Sequence, residues 1–409
     1  MDFSYHYTEE QEQFRQDVNA WLDANLTQDI IAPDAFEESR ADAWEQAGAF
    51  RRKRGELGWL APTEASEWGG AGLTSDHAVV LFEELDKRGI LWIVDEASAP
   101  LRRALREWGT EEQKRQFLPA IVKGQAVIWR SFVEPGAELY PNDIGIQASQ
   151  DGDGFILNGE AVFVGQGHVP SYLWVLALSD PDADVGQATS TFLVPASLDG
   201  IQIRTPRTLT QGDAHRVAFD QVWVPRHCLI GDEGQGWPLM DAAILAEPGV
   251  DIPPPALSPE VADLLQYAKE TTHEGTALSK EPIRRQLLVE AYINSRMMRL
   301  LHMRDAWMRS TGQTITYQAA QTASMEKRAD MRLSKIVQDV VGIYALLDKD
   351  DSKAPTQGRF ESHQRQSLAQ QNPNGTVETY AEVIIKRLGL GQGRENTKTN
   401  HNPDATTGV

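Results

Sequence analysis

Cysteine is almost absent: the 409 residues contain one, Cys228. No intrachain disulfide can form, and a reducing compartment is expected. Positive charge is also scarce. Against 59 Asp and Glu stand 39 Lys and Arg, a formal net charge of −20. Such a chain repels phosphate backbones and anionic headgroups, which argues against nucleic-acid binding and docking on a membrane surface. The plainest role of the acidity is solubility. Long apolar runs are missing too, and none approaches the ~18 residues of a membrane span. The opening Met1-Asp-Phe-Ser-Tyr-His-Tyr-Thr-Glu-Glu lacks the apolar core of a signal peptide, so the cytoplasm is the expected location. The nine His show no metal-ligand spacing, and one Cys offers no zinc cluster, so no metal is expected. Neither GxxxxGK nor GxGxxG occurs, which removes P-loop and Rossmann readings.

What is present suits a large soluble core. Hydrophobic residues make up 41% of the chain, with eleven Trp and eight Met. Thr8-Glu-Glu-Gln11 is a capping box, followed by Phe14, Val18, Trp21 and Leu22 on one helical face. Further helices are expected near 35–57, 74–89, 94–108 and 110–122. From about Ala126 the pattern changes to short apolar runs parted by Gly, Asp and Asn. Phe155-Ile-Leu, Leu173-Trp-Val-Leu-Ala-Leu, Thr191-Phe-Leu-Val and Ile201-Gln-Ile read as strands, with Asp151-Gly-Asp-Gly154 as a turn. Arg216 to Trp237 reads as a strand ended by Pro225, then a Gly-rich loop and a helix start. His227 and Cys228 are read as neighbours on a strand end, pointing to opposite sides in surface or core roles rather than as a reactive pair. Later helices are expected at 239–247, 259–273, 280–310, 317–348 and 376–388. The expected organisation is a helical domain (1–125), a middle β-domain (126–232), a helical bundle (233–390) and a polar, disordered tail (391–409). The class is α+β with segregated layers.

Several landmarks occur in one order along nearly the whole chain. They are Gly58-Trp-Leu-Ala-Pro with Gly69-Gly-Ala-Gly72, Gly109-Thr-Glu-Glu-Gln-Lys-Arg-Gln-Phe-Leu-Pro119, and Glu134-Pro-Gly-Ala137. Then come Asp151-Gly-Asp-Gly-Phe-Ile-Leu-Asn-Gly159, the 216–237 segment, and Gly375-Thr-Val-Glu378. In this set and order the chain resembles the acyl-CoA dehydrogenase family. The resemblance implies a middle β-barrel-like domain and a C-terminal four-helix bundle, with FAD held between them. It implies an acyl-CoA substrate whose α-proton goes to a glutamate while the β-hydride goes to the flavin. An electron-transfer flavoprotein becomes the candidate acceptor.

The resemblance also marks departures. The family's usual base position, just before the Gly-Thr motif, holds Asn374, which cannot act as a base. A subgroup places the base on the helix after the Gly-Trp motif, where Glu247 stands. Read without the resemblance, Glu247 is a helix-end carboxylate beside Pro248. Phe132 and Val133 precede Glu-Pro-Gly, and the family's flavin-bonding Thr is Val133 here. The motif that packs on the flavin reads Phe163-Val164-Gly165, so an aromatic remains and a hydroxyl is lost. From the terminal motif Thr376 and Glu378 survive. The loops that reach across a family dimer to the FAD diphosphate and adenine read 272–281 and 339–347, without the Arg or the Gly-Gly pair. The chain thus resembles the base-carrying subunit of the heteromeric acyl-CoA dehydrogenases of steroid side-chain degradation. That implies a second acyl-CoA dehydrogenase-like subunit in an α2β2 heterotetramer, and FAD weakly held or shared with that partner. Two alternatives stay open: a flavin-poor structural subunit, and an enzyme of the same fold running a different reaction.

Overall fold

The computed structural model describes residues 7–26, 40–88, 90, 98–133, 144–165, 169–184, 186–206, 214–246, 257–311, 313–369 and 377–390. Five helices come first: α1 (Glu9–Asn25), α2 (Arg40–Glu56), α3 (Ser75–Lys87), α4 (Ser98–Trp108) and α5 (Glu111–Val122). Thr8 and Gln11 form the reciprocal cap of α1 that the sequence announces. Val18 and Leu22 are fully buried against Leu81, Phe82 and Leu85 of α3. Gly58 has a positive φ of 71°, and a Cβ there would meet Ala71 N at 2.4 Å. The two early glycine motifs are therefore two loops pressed backbone to backbone.

The strands follow: β1 (Ile128–Ser131), β2 (Ile146–Asp151), β3 (Gly154–Val164), β4 (Tyr172–Leu178), β5 (Thr189–Pro195), β6 (Ile201–Arg204), β7 (Ala214–Pro225) and β8 (Leu229–Ile230). They form one sheet in the order β6-β7-β3-β1-β4-β5-β8, and β2 also pairs with both β3 and β4. Two strands thus bridge β3 and β4, which curls this part of the sheet into a small barrel. Most pairs are antiparallel; among the described residues only β4 pairs in parallel, with β1 and with β2. Successive side chains alternate between two cores. One lies inside the β-layer around Trp129, Phe163 and Phe192. The other lies between the sheet and α4, α5 and α6 (Gly236–Ala246). Strand β2 was not read from the sequence because only Ile146 and Ala148 point inward. Residues 226–228 form a 3-10 turn rather than a strand end. His227 is exposed there, while Cys228 is buried and its thiol pushed up to about 11 by desolvation.

The Gln113 amide has two tasks. Its oxygen closes the capping box with Thr110, and its nitrogen donates to the carbonyls of His227 (2.8 Å) and Leu229 (2.7 Å). The start of α5 is thereby bolted to the exit of the β-domain.

The bundle contains α7 (Pro259–Glu270), α8 (Pro282–Ser310), α9 (Gln318–Val341), α10 (Arg359–Ala369) and α11 (Val377–Leu388), with a short hairpin, β9 (Thr272–His273) and β10 (Thr276–Ala277), between α7 and α8. Helix α9 stops well before 348, because Gly342 takes a φ of 72°. Helix α10 escaped the sequence reading because polar Gln364 and Ser367 are buried on it beside Phe360. Among the described residues no helix is long and apolar enough to cross a membrane, and no group of side chains could hold a metal ion.

A buried acidic knot sits in the bundle. Asp330 on α9 is pushed up to about 7, by desolvation first and then by Glu326 and Glu260, with Lys327 opposing. Asp86 on α3 is raised to about 6 by burial, Glu260 and Glu83. Burial lowers His363 on α10, against the pull of Glu260 and a hydrogen bond with the Asp330 backbone. A carboxyl whose pKa is raised on folding adds stability at low pH, and that contribution is lost as pH rises through the folded value. Asp330→Asn keeps the shape without the charge. It is expected to raise the melting temperature by about 2 °C at pH 8 and by clearly less at pH 5, because between the unfolded and folded values only part of the stability has been lost. Equal shifts at both pH values would contradict the charge argument.

Candidate functional site

Antiparallel pairing of β1 with β3 aligns Arg130 with Val164 and Ser131 with Phe163. Phe132 N donates to Val162 O (2.8 Å), extending the ladder past the strand end. Five sequence-predicted positions, Phe132, Val133, Phe163, Val164 and Gly165, are therefore brought to one corner of the sheet. Val133 is buried in the core shared with α4, α5 and α6, and Phe132 is half-buried.

The corner is packed tightly. Phe163 is fully buried in the inner β-core, 6.2 Å from the Phe219 ring centroid. At Gly165 an added Cβ would lie 2.3 Å from Trp129 Cδ1 and 2.7 Å from Ile128 O. The Trp129 indole takes the room a Ser or Thr side chain would need. His215 lies flat on that indole, 3.6 Å between centroids and 5° between planes. Its Nδ1 hydrogen-bonds Thr205 Oγ1 (2.9 Å) and its Nε2 hydrogen-bonds the Gly165 carbonyl (3.3 Å). The lost hydroxyl at 165 is thus part of a wider repacking.

Sequence reasoning passed over two groups at this corner. Arg130 is 2% exposed, a charge set in the apolar strand Ile-Trp-Arg-Ser. Trp174, its register partner on β4, is fully buried, and its indole N–H meets no hydrogen-bond acceptor among the described residues. Register partners share a sheet face. Val164, Arg130, Trp174 and Leu193 accordingly form one row on the face that meets α4, α5 and α6. The available signal was the lone Arg inside an otherwise buried strand, since such a charge is retained only with partners.

Helix α6 is anchored at its start. Trp237 N donates to Thr189 Oγ1 (2.9 Å), Gly234 N donates to Ser190 Oγ (3.1 Å), and Gly236 sits so close to Ser190 that no Cβ would fit. Trp237, Leu239, Met240, Ala243 and Ile244 pack on the sheet face that carries Val133 and Trp174. The described helix ends at Ala246, so Glu247 lies outside the described residues, as do Asn374, Thr376 and the 391–409 tail. Glu378 is exposed in the first turn of α11, between buried Val377 and Thr379.

The two segments expected at the diphosphate offer little to an anion. Thr272, His273 and Glu274 are exposed on the β9–β10 hairpin, and His273 faces Glu281 at 3.7 Å. Lys280 is the one Lys or Arg within them, next in sequence to that same Glu281. The nearest arginine in sequence, Arg284, is itself paired with Glu281. After α9, Gly342 is followed by exposed Ile343, Tyr344 and Leu346. At the ring-side corner the chain keeps the aromatic Phe163 and backbone groups where the family motif carries hydroxyls. The 272–281 and 339–347 segments do not fit the FAD diphosphate.

The acyl-CoA dehydrogenase N-terminal domain model matches residues 8–125, and the acyl-CoA dehydrogenase C-terminal domain model matches 258–389, together more than half of the chain. The chain is 28% identical to acyl-CoA dehydrogenase IpdE1 of Mycobacterium tuberculosis over 94% of its length and 98% of that protein. It is 23% identical to acyl-CoA dehydrogenase FadE26 of the same organism, over 95% and 99%. In fold it is similar to the ChsE4-ChsE5 complex from Mycobacterium tuberculosis (TM-score 0.77, 23% identity, 96% of this chain and all of that one). It is equally similar to the Tcur3481-Tcur3483 steroid ACAD (TM-score 0.77, 22% identity, 96% of this chain and all of that one).

Proposed function

The chain belongs to the acyl-CoA dehydrogenase family, oxidoreductases acting on the CH–CH bond of acyl-CoA, and we propose that it is the base-carrying subunit of a heteromeric member acting on a bulky acyl thioester. The observation that carries this reading is the division of the site. The ring-side corner and the anchored α6 that leads to Glu247 belong to this chain, whereas the segments expected at the diphosphate lack both the arginine and the glycine pair. A partner of the same fold supplies what is missing, as an α2β2 assembly. FAD, when bound, supplies the hydride acceptor. This chain's Glu247 takes the α-proton, and α6, packed on the sheet face, carries the chain to it. An electron-transfer flavoprotein is the natural oxidant of the reduced complex.

The surface of α8 agrees with a partner. The helix is about 43 Å long and leaves Val289, Ile293, Leu300 and Trp307 between 51% and 58% exposed. The last three recur every seven residues, so they line one stripe. The helix's Arg299 and Arg304 are held within the chain, by Glu83 and Asp305, so the apolar stripe is what α8 offers a partner. An exposed stripe of apolar and aromatic side chains is interface composition. Leu300→Glu with Trp307→Glu is expected to separate the chain from its partner in sedimentation while each subunit stays folded. The function itself is tested by co-purifying the two subunits. A complex that absorbs near 450 nm and desaturates a bulky acyl-CoA with an artificial electron acceptor supports the reading. A colourless, inactive complex overturns it.

One observation favours the alternative of a flavin-poor structural subunit. Phe163 is wholly inside the β-core, and Trp129 fills the space beside Gly165. Flavin confined to the partner's own sites, with activity independent of Glu247, would favour that alternative.

A further inference from the structure

We infer that the buried hydroxyls of Thr189 and Ser190 are positioning residues for the base: they fix where α6 starts and how it is aimed, and α6 leads directly to Glu247. The inference rests on the reading above, in which Glu247 takes the α-proton.

The start of α6 is held from the sheet. Gln235 precedes Gly236, where a Ser, Thr, Asp or Asn would usually meet the open N–H groups of a first turn. Pro238 brings no N–H to that turn. That of Trp237 is met by Thr189 Oγ1 at 2.9 Å, and Gly234 N, just before the helix, donates to Ser190 Oγ at 3.1 Å. Thr189 and Ser190 are 2% and 0% exposed, so water does not compete for either oxygen.

Ser190 is itself held. Its oxygen lies 2.8 Å from Ser179 Oγ, and Ser179 Oγ lies 3.3 Å from the Ala188 carbonyl, which can only accept. The hydrogens therefore run one way. Gly234 N–H donates to Ser190, Ser190 O–H to Ser179, and Ser179 O–H to Ala188 O. Each hydroxyl donates once and accepts once. Such a chain, fully satisfied, rigidifies its members. The backbone leaves little further freedom. An added Cβ at Gly236 would lie 2.6 Å from the Ser190 carbonyl carbon, and one at Gly234 would lie 2.9 Å from the Gln187 carbonyl oxygen.

The rest of the hold on α6 is of another kind. Trp237, Leu239, Met240, Ala243 and Ile244 pack in the apolar core under the sheet. Apolar burial is non-directional, so it keeps α6 down without setting its aim. The hydroxyls set the aim. The helix has 11 residues. It spans about 16 Å, so a tilt of about 4° at its anchored end moves its far end by about 1 Å. A misplacement of that size can cost about 10²-fold in rate. Glu247 comes next after Ala246, the last residue of α6.

The test uses the purified two-subunit complex with a bulky acyl-CoA and an artificial electron acceptor. Turnover is counted per bound flavin, so that loss of folded complex drops out. Thr189→Val keeps the shape and removes the acceptor. It is expected to lower kcat about tenfold or more while KM stays within about twofold. Thr189→Ser restores an acceptor and is expected to recover most of the rate. Ser190→Ala cuts the hydroxyl chain and is expected to lower kcat about three- to tenfold. A second readout follows the base alone. With the flavin reduced beforehand no hydride can leave, yet the base still removes the substrate α-proton and returns a deuteron from D2O. That exchange is expected to slow in step with kcat. A role in stability alone would lower the melting temperature and the flavin content, and leave turnover and exchange per flavin unchanged. In a complex that Glu247→Gln inactivates, that result overturns this inference alone. Should Thr189→Val not assemble, unchanged turnover and exchange in Ser190→Ala overturn it equally. A complex that holds no flavin, or in which Glu247→Gln keeps wild-type turnover, overturns the proposed function as well.

Discussion

Glu247→Gln in the active complex is expected to lower turnover by about 10²–10⁴-fold, the usual contribution of a general base. Acyl-CoA binding and bound FAD should both persist, because the substitution keeps the side chain's size and leaves the ring-side corner untouched. The loss should therefore fall on kcat far more than on KM. The basis is twofold. Asn374 cannot accept the α-proton at neutral pH, and Glu247 directly follows a helix whose start is pinned to β5 through Thr189 and Ser190. Near wild-type turnover in the variant would place the base elsewhere in the complex.

The second large effect concerns the chain without its partner. Isolated, it is expected to bind FAD about 10²–10⁴-fold more weakly than the complex does. Two missing charge-assisted bonds to a diphosphate, at roughly 1.5–3 kcal/mol each, account for that range. On the described surface, His273 and Arg284 both face Glu281, and 343–346 presents apolar side chains. Fluorescence titration of the single chain checks it. Stoichiometric, tightly held flavin on the chain alone would falsify the argument that the diphosphate needs a second subunit.

Much of the fold was legible because its signals are local. Thr8 with Gln11, Thr110 with Gln113, the Asp151–Gly154 turn and Pro225 at the end of β7 each act within a few residues. Where the sequence misled, long-range packing decided. Strand β2 is polar because one side faces water, and α10 carries buried Gln364, whose amide is met by Gln338 and the Ala345 carbonyl. No periodicity marks such a residue as internal. The site was legible in its losses, while the packing around them was not. Val133 and Gly165 stand out against the family motif, but Trp174 looks like an ordinary strand residue. Only the parallel register of β4 with β1 places its indole beside Arg130.

The indole lodged against Gly165 ties three positions together. Any side chain at 165 meets Trp129 Cδ1 and the Ile128 carbonyl, and His215 lies flat on the same indole. Restoring a hydroxyl at 165 therefore calls for a smaller residue at 129, and truncating a buried Trp typically costs about 3–5 kcal/mol. Gly165, Trp129 and His215 behave as one unit of packing: an engineer who wants the family's hydroxyl back must redesign all three at once.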